Sequence, residues 1–310
     1  MAKTLNAMGE EGIFCAAAAS RSLEKARDFV ARFGTHECVP YGSYEELADD
    51  ESIDLIYIAT PHSHHYEHAK LCIERGRNVL VEKAFTVNAG QARELIELSE
   101  KHDVLLAEAI WTRYMPSRLI LDKIIASGII GKPTHLTANL GYNNIETERM
   151  YKPELAGGAL LDLGVYPLNF ALMAFGDEIE RIESSADLYH TGTDLYNYIT
   201  LYYRDGRRAE LYASLDENTD RLGIIYGTGG YIEFHNINNC EFIRTYVDGA
   251  RGVQVDVPEQ ITGLEYQIRS CKAAIEAGRN ECGEMPHTEI IRVMEIMDGL
   301  RKEWGVIYPM

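Results

Sequence analysis

Three side chains in this sequence have chemistry suited to moving a proton: Lys83, Asp162 and Tyr166. Asp162 and Tyr166 stand four residues apart in GGALLDLGVYPLNFALMAFG (Gly157 to Gly176), so a helix there projects both from one face. An acid beside a phenol can act as a proton-transfer pair; the alternative is a buried tyrosine bonded to a helix-capping aspartate. Lys83 follows Asn78 to Val81, a short apolar run that ends abruptly at Glu82 and Lys83. Such a run reads as a buried strand of a parallel sheet, apolar on both faces because helices cover both. Ligands of open α/β sheets bind at the carboxyl ends of strands, which places Glu82 and Lys83 for chemistry; the alternative is a solvated strand end carrying a salt bridge.

The elements that must position these residues fall into two textures. Residues Met1 to Met8 read as a helix closed by Gly9 and Gly12, and Ile13 to Ala19 as a strand. Helix Ser22 to Phe33, strand Val39 to Tyr41, helix Ser43 to Ala48, strand Asp54 to Ala59, helix His64 to Glu74, the Asn78 strand, helix Val87 to His102 and strand Leu105 to Ile110 follow. Strand and helix alternating this regularly predict parallel βαβ units in a doubly wound, Rossmann-type α/β domain over residues 1–115. Beyond a helix opened by Pro116 and a turn-rich joint at Gly128 to Pro133, period-two runs take over: His135 to Leu140, Tyr198 to Tyr203, Ala209 to Leu215, Gly223 to Tyr226 and Tyr231 to Phe234. Residues 116–310 are therefore expected to form an α+β domain with an open, mainly antiparallel sheet, closed by helices Leu264 to Ala277 and Thr288 to Glu303.

A chain of 310 residues exceeds the size at which one core usually keeps growing, which agrees with two domains. Its 46% hydrophobic and 25% charged residues are ordinary for a globular protein. The net charge of −18 disfavours nucleic acid and anionic membrane as partners. Six scattered cysteines without a C-x-x-C pair read as reduced thiols, hence a cytoplasmic protein. The longest apolar run considered, Ile13 to Ala19, is of strand length, so no membrane span is expected.

NVLVEKAF (Asn78 to Phe85), then AEAIWTRYMP (Ala107 to Pro116), then GGALLDLGVY (Gly157 to Tyr166) resemble in order the glucose–fructose oxidoreductase / inositol dehydrogenase superfamily of nicotinamide-dependent enzymes. Within it, the WTR element and Tyr166 resemble the dimeric dihydrodiol dehydrogenase branch, also known as NADP-dependent D-xylose dehydrogenases, and the likeness extends over nearly the whole chain. The resemblance implies that the family's E-K-P lysine falls on Lys83 and the acid and the His-or-Tyr of its D-x-G-x-[HY] motif on Asp162 and Tyr166. It also implies a cofactor-lining turn at Thr60, Pro61, His62, Ser63, His64 and His65, with Glu82, Lys83, Trp111 and Arg113 nearby, and a homodimer or higher homo-oligomer formed through the outer face of the second-domain sheet. Ala84 replaces the family's proline, which leaves the backbone after Lys83 less restricted.

Removing a hydride from a carbinol carbon requires a base beside the hydroxyl. Tyr166 serves if the Lys83 ammonium lowers its pKa, and Lys83 serves if burial lowers its own; the sequence leaves both open, with Asp162 orienting one of them. Ser20-Arg21 at the end of the second strand, where an NAD-binding fold carries an acid, favours NADP over NAD; the alternative is a solvated arginine at a helix start. His64 and His68 lie one helical turn apart without a completing ligand, so no metal is expected. Tyr226-Gly227-Thr228-Gly229-Gly230-Tyr231 reads as a hairpin turn because a strand follows it. The first strand and G-x-G-x-x-G loop of a dinucleotide fold are not found, so a truncated, weakly cofactor-binding domain is expected. Two functions follow: an NADP-dependent oxidoreductase acting on a small polyol, cyclic diol or aldose, or a non-catalytic ligand-sensing protein on the same fold.

Overall fold

The alternating strands and helices of the first 110 residues fold into two hydrogen-bonded groups of parallel strands. The structure, a computed structural model, describes residues 1–35, 37–248 and 250–309. Helix α1 (Ala2–Ala7) leads to β1 (Ala17–Ala19), α2 (Leu23–Phe33) and β2 (Val39–Tyr41), with β1 and β2 paired Ala17 to Val39. Pairing begins only at Ala17, so the strand is shorter than Ile13 to Ala19. Ser22 precedes α2 without a capping bond, whereas Ser43 accepts from the Glu46 N–H at 3.1 Å and starts α3 (Tyr44–Ala48). The second group sets β4 (Val79–Glu82) between β3 (Ile56–Ile58) and β5 (Leu106–Ala109), with α4 (His65–Glu74) and α5 (Ala89–His102) as connections. Among the described residues no strand joins β1 to β3. Val79, Leu80 and Val81 are each 0% exposed, as expected of a strand covered on both faces.

Helix α6 (Pro116–Ala126) leads into an eight-stranded sheet whose order is β13-β12-β11-β10-β6-β9-β8-β7. The strands are β6 (Pro133–Gly141), β7 (Ile179–Leu188), β8 (Asp194–Tyr203), β9 (Arg208–Ser214), β10 (Gly223–Gly227), β11 (Gly230–His235), β12 (Phe242–Val247) and β13 (Ala250–Asp256). All neighbours are antiparallel except β6 and β9. Thr228-Gly229 is the hairpin turn between β10 and β11, with Gly227 opposite Gly230. Between β6 and β7 run a short helix α7 (Glu148–Tyr151), a π-helical turn over Leu160–Gly164 and α8 (Val165–Phe175). The apolar stretch Pro153–Phe175 is longer than any run weighed from the sequence; it is mostly buried, with the π-turn and α8 packed in the core.

Helix α9 (Glu265–Glu276) reaches the first domain through Arg269, which donates to Glu11 at 2.6 Å, and α10 (His287–Trp304) bridges both domains, Trp304 Nε1 donating to Ser184 Oγ on β7 at 2.9 Å. The Asn280 carbonyl accepts from Leu106 N–H at 2.9 Å beside β5, Asp298 accepts from Ala89 N–H at 2.8 Å at the start of α5, and Arg301 donates to the Val87 carbonyl at 2.6 Å. The closing helix thus ties the first domain to the second.

Candidate active site

Strand β4 delivers Glu82 and Lys83 at its carboxyl end, and the π-turn before α8 delivers Asp162 from the other domain. Lys83 Nζ donates to Asp162 Oδ1 at 2.9 Å and to the Asp162 carbonyl at 2.6 Å. The same nitrogen lies 5.3 Å from the centre of the Tyr166 ring, within cation–π range. Trp111 Nε1–H donates to the Tyr166 hydroxyl at 3.1 Å. Tyr57 donates to Glu82, and Glu82 accepts from the Lys83 N–H at 3.2 Å, which fixes the turn that presents the lysine.

The charges around the two candidate bases differ. Burial opposes the Lys83 ammonium, yet Asp162, Tyr166 and Glu82 together hold its pKa above the ordinary lysine value. Burial alone would lower the Lys83 pKa, and the carboxylate beside it outweighs that effect. Burial also opposes the Asp162 carboxylate, but Lys83 and Arg149 hold it well below the usual range. For Tyr166 burial wins: it pushes the phenol up to about 12 although Lys83 pulls the other way, so the expected tuning toward neutral pH is not achieved here.

Of the other anticipated residues, Arg21, Thr60 and Pro61 line a cleft of about 620 Å³ together with Tyr44, His64 and His68 on one wall and Glu148, Arg149 and Lys152 on the other. Ser20 lies at the same strand end, its N–H bonded to the Tyr41 carbonyl at 3.3 Å. His62 is buried beside the cluster with Nδ1 3.0 Å from the Ala156 carbonyl, and burial, assisted by Lys83, lowers its pKa to about 4. His65 is fully buried, its ring nitrogens 2.9 Å from the Ala84 carbonyl and 2.8 Å from that of Thr60, so it braces the Lys83 turn against the Thr60 turn. Arg113 is not brought to the cleft: its side chain is wholly buried, bonded to Asn169 Oδ1 at 2.7 Å and ion-paired with Glu289 on α10. Among the described residues no group of three or more His, Cys, Asp or Glu could hold a metal ion.

Two contributors escaped the sequence reading. Arg149 donates to Asp162 Oδ1 at 2.9 Å from α7, a four-residue helix with no periodic pattern to mark it. Glu108 on β5 accepts from the Phe85 N–H at 3.1 Å, and burial raises its pKa to about 7; an acid inside an apolar strand was the available signal.

Arg21, Arg149 and Lys152 line the cleft beside the carboxylates of Glu148 and Glu154, with Lys152 paired to Glu148, so Arg21 and Arg149 are the donors that fit the phosphates of a dinucleotide; the cleft adjoins the Lys83 cluster through Arg149. Comparison with known proteins agrees. Residues 4–109 match the oxidoreductase family with an NAD-binding Rossmann fold, and residues 119–233 the GFO/IDH/MocA C-terminal domain. A D-xylose 1-dehydrogenase (NADP(+)) of Hypocrea jecorina is 33% identical, covering 95% of this chain and 84% of that protein. A trans-1,2-dihydrobenzene-1,2-diol dehydrogenase of Danio rerio is 31% identical, covering 94% and 89%. In fold, the chain is similar to a 3-ketoreductase from Actinomadura kijaniata in complex with NADP and TDP-benzene, with a TM-score of 0.85 at 24% identity over 99% of this chain and 95% of that one. With a dinucleotide-type domain, a mixed-sheet partner domain and sequence matches to both, the chain belongs to the GFO/IDH/MocA family of oxidoreductases.

Proposed function

We propose that the protein is an NADP-dependent oxidoreductase that transfers a hydride between the nicotinamide and a carbinol carbon of a small polyol, cyclic diol or aldose. The observation that carries this reading is a phenol held between an ammonium and an indole N–H, with the ammonium linked through Asp162 to Arg149 on the wall of a cleft that Arg21 also lines. The dinucleotide, when bound, supplies or accepts the hydride. Tyr166 supplies the matching proton: neutral at working pH, it donates its proton to the carbonyl oxygen during reduction and is left as a phenolate, and in the reverse direction that phenolate takes the hydroxyl proton. Lys83 and Trp111 stabilise the phenolate that forms, and Asp162 keeps Lys83 charged and in place. Arg21, on the cleft wall, supports NADP over NAD, as do the relatives named for that cofactor. The relatives' names support sugars or cyclic diols as substrates. A sensor on this fold has no need of such a proton donor.

The outward face of the large sheet supports self-association between two copies. Tyr198 there is 53% exposed and stacks on Tyr212, with ring centres 4.5 Å apart. Uncovered aromatic rows of this kind mark contact surfaces.

The test offers pentoses, hexoses, inositols and cyclic diols with NADP while the absorbance of the reduced nicotinamide is followed. Turnover with at least one polyol, diol or aldose, faster with NADP than with NAD, is expected. Dinucleotide binding without turnover of any of them would favour the sensor.

A further inference from the structure

Arg149 and Lys83 meet on a single oxygen. Asp162 Oδ1 accepts from both, each at 2.9 Å, yet the two cations differ in setting. The Lys83 side chain is 13% exposed and turned inward, whereas that of Arg149 is 47% exposed and forms part of the cleft wall opposite Arg21. The backbone of Arg149 is held close to the Asp162 segment. A Cβ on Gly157 would come within 2.7 Å of the Arg149 carbonyl oxygen and 2.5 Å of that of Met150, and the Gly158 N–H donates to the Met150 carbonyl at 2.8 Å. Only glycine at 157 allows α7 to lie this close, so the guanidinium can swing while its base stays fixed. A guanidinium has five N–H donors, and one bond to Asp162 leaves most of them free for a second anion.

We propose that Arg149 is a positioning residue shared between Asp162 and the phosphate groups of the bound dinucleotide, so that filling the cleft and holding the Lys83 carboxylate partner are energetically coupled. This rests on the dinucleotide reading above. Asp162 partly neutralises the one guanidinium charge that a phosphate in the cleft would also draw on, and coupling of this kind is reciprocal. Whatever weakens the hold of Asp162 on Arg149 therefore strengthens the hold of phosphate, and the strengthening exists only while Arg149 is present.

The experiment is a double-mutant cycle read by binding rather than turnover. NADPH dissociation constants are measured by nicotinamide fluorescence for the parent protein, Arg149→Gln, Asp162→Asn and the double variant, with thermal melts as a check on folding. Arg149→Gln is expected to weaken NADPH binding about tenfold through loss of a charge-assisted contact. Asp162→Asn is expected to tighten it severalfold, and in the Arg149→Gln background that tightening disappears. Should Arg149→Gln not fold, Arg149→Lys keeps the charge but not the fork, and the tightening shrinks. The same cycle with NADH separates the two phosphate sources: an equal response places the contact on the pyrophosphate, and a response confined to NADPH places it on the 2′-phosphate. An unchanged or weaker affinity in Asp162→Asn, or a tightening of equal size in both backgrounds, overturns the coupling while leaving the oxidoreductase reading intact. Failure of the parent protein to bind either dinucleotide overturns both.

Discussion

At the scale of single residues, the division of labour between Lys83 and Tyr166 rests on one carboxylate. In the proposed mechanism Asp162 keeps the lysine charged, and the charged lysine then serves the phenol rather than replacing it. Lys83→Met and Tyr166→Phe are each expected to lower kcat by about 10²-fold or more, with the double variant far short of the product of the two. Near-normal turnover in either, on a substrate the parent protein uses, removes that residue from the mechanism. Arg21→Ala removes a cation from the cleft wall; NADP affinity should fall about tenfold to a hundredfold while NAD affinity holds, and equal losses for both would make Arg21 structural. Lys83, Asp162 and Tyr166 were legible in the sequence because each sits in a local pattern that fixes its element. Arg113 was legible as a cation but not as a buried one, since its partner Glu289 is 176 positions away and nothing local foretells the pair. Arg149 was illegible for another reason: it sits on a four-residue helix too short to show a periodic pattern.

At the scale of elements, the turn that presents Asp162 is a π-helical distortion held from outside. Asp194 at the start of β8 accepts from the Leu160 N–H at 2.7 Å and from Asn197 Nδ2 at 2.9 Å, and its other oxygen lies where a Cβ on Gly158 would fall, 2.2 Å away. Gly158 has φ +119, so this position excludes a side chain twice over. Burial raises the Asp194 pKa to about 6. In the unfolded chain the group ionises near its ordinary value, so its contribution is fully present below about pH 4 and lost as pH rises through about 6. Asp194→Asn keeps an acceptor and cannot ionise. Relative to the parent, the Asn variant is expected to gain on the order of 2 kcal/mol in urea unfolding between pH 4.5 and pH 7.5; an identical difference at both pH values would mean that Asp194 does not titrate in this range. The π-turn itself could not be read from the sequence, because Asp162 and Tyr166 at a spacing of four fit an ordinary helix equally well. Strand β7 escaped too: it lies at the sheet edge, where IERIESSADL has few buried positions to set an alternation. Strands β12 and β13, at the other edge, went unread as well.

At the scale of the whole molecule, the site exists because two domains meet. The first contributes Lys83, Trp111 and Arg21, the second Asp162, Tyr166 and Arg149, and α10 returns to clamp the first through Arg301 and Asp298. The sequence disclosed both textures, since period-two and helical patterns are local. The return of the last two helices was hidden, because an amphipathic helix records that it has a partner and not which one. The outer sheet face bears on assembly: if it joins two copies, Tyr198→Glu should shift the sedimentation coefficient from dimer to monomer without unfolding the chain, whereas a parent protein already monomeric at micromolar concentration would remove that role. The central claim is that this assembly moves a hydride to carbon. The most direct measurement supplies NADPH carrying deuterium on the transferable side of the nicotinamide to the protein with a pool of aldoses and cyclic hydroxyketones, followed by mass spectrometry of the products. One deuterium bound to a new carbinol carbon is expected with the parent protein and about a hundredfold less with Tyr166→Phe; NADPH consumed with no deuterium in any product, or full labelling by Tyr166→Phe, would contradict the account.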